Sequence, residues 1–118
     1  MTMKPPIQID LTARFRRDVK RLHKKYRRVQ NDLQVFVDRL ERGETPGERV
    51  QNVQYPVYKA RIKNTDVQKG KSGGYRIVYY LQTAESIVLI TIYSKSEAAD
   101  IPDNEVRRII DEYLPPGE

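Results

Sequence analysis

Lys59, Arg61 and Lys63 occupy alternate positions of the stretch 57–63, and the residues between them, Tyr58, Ala60 and Ile62, are apolar or small. Such alternation reads as a half-buried strand with its cations on one face. A second alternating run, 75–81, places Tyr75, Ile77, Tyr79 and Leu81 on one face and Arg76, Val78 and Tyr80 on the other. Strands adjacent in sequence usually pair. Lys59, Arg61, Lys63 and Arg76 then converge, with Tyr93 and Lys95 of a third run, 87–95, close by. Cations gathered on an ordered sheet face repel one another, and a bound polyanion relieves that repulsion. Arginine suits a phosphate because its planar fork donates to two oxygens and keeps its proton. Solvated edge-strand lysines are the alternative reading of the same pattern.

Gly70-Lys71-Ser72 resembles the tail of a phosphate-binding loop. That motif needs a glycine five residues earlier and a helix after it. Thr65 stands at the first place and the strand-like Tyr75–Leu81 follows, so no nucleotide site is expected. The segment reads instead as a basic hairpin loop leading to Arg76.

The chain has 118 residues, 22 Lys and Arg against 16 Asp and Glu, and a net charge of +6. A single domain over 1–118 and a polyanionic partner are the expectations. There is no cysteine, which excludes disulfides and thiolate chemistry. No apolar run approaches the roughly 20 residues of a membrane span, and the N-terminus lacks a signal-peptide core, so a soluble, cytoplasmic protein is expected. The one histidine, His23, lies among basic residues, and no His/Asp/Glu cluster has ligand spacing. No metal or other cofactor is expected, and His23 is expected at the surface.

The elements that must position these residues follow from periodicity. Ile7–Leu11 alternates as a short strand, and Thr12 can cap the helix after it. Phe15, Val19, Leu22 and Tyr26 share one helical face, as do Val29, Leu33, Phe36, Val37 and Leu40 in a second helix that Gly43 ends. Residues 43–56 read as irregular. Three strands follow, the last apolar on both faces, with its exit Tyr93-Ser94-Lys95-Ser96-Glu97 outside the core. A final helix from about Asp103 aligns Val106, Ile109, Ile110 and Leu114. The prediction is an α+β fold of order β-α-α-β-β-β-α: an antiparallel sheet of about four strands, its N-terminal helical hairpin on one face. The last helix can cover Ile87 and Leu89 on the other.

The element order, with "VKRLHKKYRRVQNDLQVFVDRL", "YKARIK", "GKSGGYRIVYYL" and "VLITIYSKSEAADIPDNEVRRII", resembles the RelE/HigB/ParE superfamily of type II toxins over residues 7–114. The GKSGGYR segment and the YSKSE exit look most like its RelE- and HigB-like branch. The resemblance implies a RelE-like fold, cleavage of messenger RNA on the translating ribosome without a metal, and a cognate acidic antitoxin as partner.

Cleavage of that kind uses the ribose 2′-hydroxyl as nucleophile. It needs a proton acceptor, cations for charge building on phosphorus, and a donor for the leaving oxygen. By resemblance Arg76 binds the scissile phosphate, and Lys59 and Arg61 stabilise charge, with Lys59 also a candidate acid or base. RelE-like members carry a basic residue after strand four and a tyrosine in or near the last helix. Here Lys95 is followed by Ser96, and Ile101-Pro102 stands where the tyrosine would be. The general acid and base are therefore unassigned, with Tyr93, Lys95 and Glu97 as candidates; packing is the other reading of Tyr93. Lys63, Lys69 and Lys71 are candidate RNA contacts. So are Arg17, Lys20 and Lys24, from a stretch with nine Lys or Arg between Arg14 and Arg28 against one acid, Asp18. A solvated helix face accounts for much of that excess; ribosomal RNA would use it. Two other functions fit the same fold: a ParE-like inhibitor of DNA gyrase that cleaves no RNA, and a non-catalytic basic RNA-binding module.

Overall fold

The computed structural model describes residues 6–67, 74–98 and 100–114. The elements are β1 (Gln8–Leu11), α1 (Ala13–Lys25), α2 (Val29–Glu41), β2 (Glu48–Arg49), β3 (Val57–Ile62), β4 (Tyr75–Thr83), β5 (Ser86–Ser94) and α3 (Asp103–Tyr113). Among the described residues the strands form one five-stranded sheet in the order β1-β5-β4-β3-β2.

Two features of the sheet correct the expectation of about four antiparallel strands. β1 runs parallel to β5, with Ile9 beside Ile87 and Leu11 beside Leu89. Hairpin logic governs strands joined by a short turn, as β4 and β5 are through Ala84 and Glu85. β1 instead hands the chain to α1, which packs back on β5, and that route sets its direction. The second correction is β2, inside the stretch read as irregular. Glu48 and Arg49 pair with Lys59 and Tyr58 without any apolar alternation to announce them. Gly47 makes the approach possible. Its φ is +96°, and a Cβ there would sit 2.2 Å from the Lys59 carbonyl oxygen.

Thr12 starts α1 as expected. Its hydroxyl accepts from the Phe15 amide at 2.9 Å and donates to the Ile90 carbonyl at 2.7 Å, so the cap also ties the helix to β5. The break between α1 and α2 needs neither Gly nor Pro. Tyr26 takes an extended backbone and buries its ring edge-on against Tyr75, with centroids 5.7 Å apart.

The helical hairpin covers one sheet face, burying Phe15, Leu22, Phe36 and Leu40 against Ala60, Ile77, Tyr79, Leu89 and Ile92. On the other face α3 packs Val106, Ile109 and Ile110 over Val57, Val78, Tyr80, Val88 and Ile90. The partners of α3 are thus Val88 and Ile90; Ile87 and Leu89 face the hairpin. β5 is apolar on both faces, so its composition could not fix which set points which way. A bulge adds a further shift: Val78 pairs with Thr91 but Tyr79 with Leu89, leaving Ile90 as the extra residue. The β5 exit is also more buried than expected. Tyr93 and Ser94 are inside, while Lys95, Ser96 and Glu97 are exposed.

Candidate nucleic-acid interface

Arg61 of β3 stands directly opposite Arg76 of β4, and Arg76 stands opposite Tyr93 of β5. One row across three strands therefore carries two guanidiniums and a phenol on the face that α3 shares. Lys59, two residues from Arg61, lies on the same face by the period of the strand. Lys59, Arg61 and Arg76 line an open cleft of about 820 Å³, together with Arg39, Glu48 to Asn52 and Asp103. Gly74, just before Arg76, lies so close to β3 that a Cβ would meet the Ile62 carbonyl oxygen at 2.6 Å. A bulkier residue would push the start of β4, and with it Arg76, away from its partner strand.

Like charges directly opposite one another in a sheet are unfavourable. Among the described residues neither Arg61 nor Arg76 has a carboxylate within ion-pair distance; the cleft's paired cations are Lys59, joined to Asp100, and Arg39, joined to Glu44 at 3.0 Å. A phosphodiester backbone is the kind of ligand that would offset the clustering, through bidentate contacts to guanidinium.

Tyr93 is buried and donates to Asp100 Oδ1 at 2.9 Å. Burial pushes its phenol upward from the ordinary value, and the Asp100 carboxylate adds to this against the opposing pull of Arg76. In this state the hydroxyl donates a hydrogen bond rather than takes a proton. Asp100 itself feels an upward push from partial burial. The Lys59 ammonium, the Ile101 amide and the Tyr93 hydroxyl outweigh it and hold the carboxyl below the usual aspartate value.

The other residues picked from the sequence separate. Glu97 lines a second hollow of about 340 Å³ with Arg14, Arg21, Tyr93 and Asp100, outside the cationic cleft. Its carboxylate is bound by Arg21 at 3.0 Å and by the Ser94 amide at 3.1 Å. Lys95 is exposed just past β5, its amide bonded to the Gly74 carbonyl at 3.1 Å, next to the start of β4. Lys63 lines a smaller groove between α2 and β3, with Asp32, Phe36, Arg39 and Arg61. Arg17, Lys20 and Lys24 are exposed on α1, as is His23, and α1 packs on the opposite sheet face from the cleft. Lys69 and Lys71 lie outside the described residues.

Sequence reading missed Arg39, Arg49 and Asp100. Arg49 enters the cleft because β2 adds to the β3 edge, which no local pattern announces, and Arg39 reaches it from the last turn of α2. Asp100 sits in a polar stretch with no periodicity, and its role depends on reaching Lys59, 41 residues earlier. Asp18, by sequence the lone acid of a basic helix, is 1 % exposed. It accepts from the Thr91 hydroxyl, the Ile92 amide, Arg14 and Arg21. Arg14 continues to Glu105 at 2.9 Å and Arg21 to Glu97. This lattice of charges fastens α1 to the end of β5 and to α3, so it fixes the frame in which Tyr93 is held.

Among the described residues no helix is long and apolar enough to cross a membrane. Compared with known protein families, residues 14–111 match the model described as the RelE toxin of the RelE/RelB toxin-antitoxin system. No curated protein matches the chain significantly.

Proposed function

The chain belongs to the RelE toxin family and is the toxin of a toxin–antitoxin system, with a cognate antitoxin as its implied partner; from that premise we propose that it is a metal-independent, ribosome-dependent endoribonuclease of messenger RNA, of the RelE- or HigB-like branch. The observation that carries this reading is the convergence of Lys59, Arg61 and Arg76 on one open cleft rimmed by Arg39 and Arg49. A protein acting only by binding another protein has no need of such a phosphate-gripping face.

In this reading Arg76 grips the scissile phosphate, central in the row between Arg61 and Tyr93. Lys59 and Arg61 stabilise the negative charge that grows on the phosphoryl oxygens as the 2′-hydroxyl attacks. Tyr93 offers a hydroxyl donor at the far end of the row, and its upward-shifted phenol disfavours a role as resting-state base. Lys59 inside the cleft and Lys95, exposed beside the start of β4, remain as candidates to exchange a proton with substrate. The clamp of Arg21 on Glu97 favours a structural role for that carboxylate. Arg17, Lys20, Lys24 and Lys63 would serve as backbone contacts to RNA outside the cleft, with affinity falling as salt rises.

The test is induced expression in cytoplasm without antitoxin, followed by mapping of messenger RNA ends. The expected result is growth arrest with cuts inside translated frames, reproduced by purified toxin on programmed ribosomes in the presence of a chelator. Intact messenger RNA with DNA breaks dependent on gyrase would replace this reading with inhibition of gyrase. Binding to RNA with no cuts would leave a non-catalytic module.

A further inference from the structure

Three donors meet a single oxygen of Asp100. The Lys59 ammonium, the Tyr93 hydroxyl at 2.9 Å and the Ile101 amide at 2.9 Å all address Oδ1. Yet the Asp100 side chain is 63 % exposed, against 24 % for Lys59, so donors rather than packing hold it. It stands in the segment between β5 and α3, lining the second hollow and joined to the cleft through Lys59. Lys59 of β3 pairs with it, Arg76 of β4 acts on its partner Tyr93, and Arg14 and Arg21 of α1 share its hollow, already held by Glu105 and Glu97.

A phosphate oxygen entering the cleft would offer Lys59 the charge and acceptor geometry that this carboxylate already provides. The two anions cannot share the ammonium without repelling each other. We propose that Asp100 is an internal stand-in for phosphate: it occupies Lys59 and the Tyr93 hydroxyl in the free toxin, and an entering polyanion displaces it. This rests on the reading of the cleft as a site for the RNA backbone. Displacement frees two groups at once, a cation for the phosphate and a hydroxyl donor for a substrate oxygen. The site is thereby assembled by its ligand, and the free toxin is partly neutralised by its own chain. The high exposure of Asp100 makes the exchange cheap, because its carboxylate regains water on leaving.

The experiment measures binding of a single-stranded 2′-deoxy oligonucleotide, which lacks the nucleophile for cleavage, to the full toxin and to Asp100→Asn, Lys59→Met and the double variant. Asp100→Asn is expected to bind roughly three- to tenfold tighter, the scale of an exposed to partly buried ion pair. That gain should vanish in the Lys59→Met background. A gain that persists without Lys59 reflects net charge alone and overturns the proposal, as does equal or weaker binding by Asp100→Asn. No binding by any of the proteins at low salt overturns the cleft reading together with the proposal, whereas binding without the gain overturns the proposal alone. A second measurement follows the Tyr93 ζ-carbon by NMR as the oligonucleotide is added. In the parent its resonance should move toward the position it has in Asp100→Asn, because the carboxylate bonded to the hydroxyl at 2.9 Å leaves; a resonance that stays in place on binding means that Asp100 is not displaced and overturns the proposal.

Discussion

Arg61 and Arg76 face each other across β3 and β4 as a directly opposed pair of like charges. Opposed like charges in a sheet are destabilising by up to about 1 kcal/mol. In the proposed function this arrangement trades stability for a place where an anion can be held. Replacing one member should reverse the trade. Arg61→Gln is expected to raise stability slightly, by up to about 1 kcal/mol, while weakening binding of RNA and flattening its salt dependence. Denaturant unfolding and binding at two salt concentrations check both halves. A variant both less stable and unchanged in binding would remove the cationic row from the site.

Acid should loosen the joint between α1 and the end of β5. Partial burial raises the pKa of Glu97, but the Arg21 guanidinium and the Ser94 amide outweigh it, leaving the carboxyl below its ordinary value. A group depressed on folding contributes stability that is present above its unfolded pKa, about 4.3 for glutamate, and lost as pH falls through the folded value. The melting temperature of the parent should therefore drop between about pH 5 and pH 3. Glu97→Gln should start lower at pH 7 and lose less over that interval. An identical acid limb in both proteins would mean the Arg21–Glu97 contact contributes nothing.

Much of this fold was readable because its local rules agree. Thr12 as a cap, the hairpin stripe of Phe15, Leu22, Phe36 and Leu40, and the alternation of β3 and β4 all follow from neighbours within a few positions. The same alternation places Lys59, Arg61 and Arg76 on one face. What was not readable depends on distant pairings. β1 joins β5 across about two thirds of the chain, β2 exists because Gly47 lets the backbone approach, and the bulge at Ile90 resets which side chains of β5 face α3. The site divides the same way. Its cations sit on strands with clear periods, whereas Asp100 and Asp18 act through partners 41 and 73 residues away.

Gly47 offers a test of how far β2 shapes the cleft. Gly43 and Gly47 both have positive φ, +90° and +96°, but the space around them differs. Nothing lies within 4 Å of a Cβ at Gly43, while at Gly47 the added atom meets the Lys59 carbonyl oxygen at 2.2 Å. Gly43→Ala should cost only the backbone strain of an L-residue at positive φ, about 1 kcal/mol. Gly47→Ala should cost that and also part β2 from β3. Hydrogen exchange at the Val50 amide, which bonds the Val57 carbonyl at 2.8 Å, would report the loss. RNA binding should weaken as Arg49 leaves the rim. Equal stability and equal exchange in the two variants would show that β2 does not depend on the glycine.

The sharpest separation of site from scaffold uses two residues of the same strand. Arg76 points into the cleft and is partly exposed. Tyr79 points to the hairpin face with no exposed surface; its ring stacks on Tyr58 at 5.6 Å and meets Phe36 edge-on at 5.5 Å, and its hydroxyl donates to the Pro46 carbonyl. Arg76→Ala removes a charge that the fold does not use and relieves its repulsion with Arg61, so the melting temperature should hold or rise. Cleavage of ribosome-bound messenger RNA should fall by about a hundredfold or more, the scale for losing one donor to transition-state charge. Tyr79→Ala removes a buried aromatic and should cost about 3–5 kcal/mol. Its activity should track the folded fraction rather than fail outright. Thermal unfolding and cleavage measured on both variants give opposite patterns if the two faces of β4 are assigned correctly. Cleavage by Arg76→Ala at the parental rate would sink the phosphate role, and unfolding as severe as that of Tyr79→Ala would sink the face assignment beneath it.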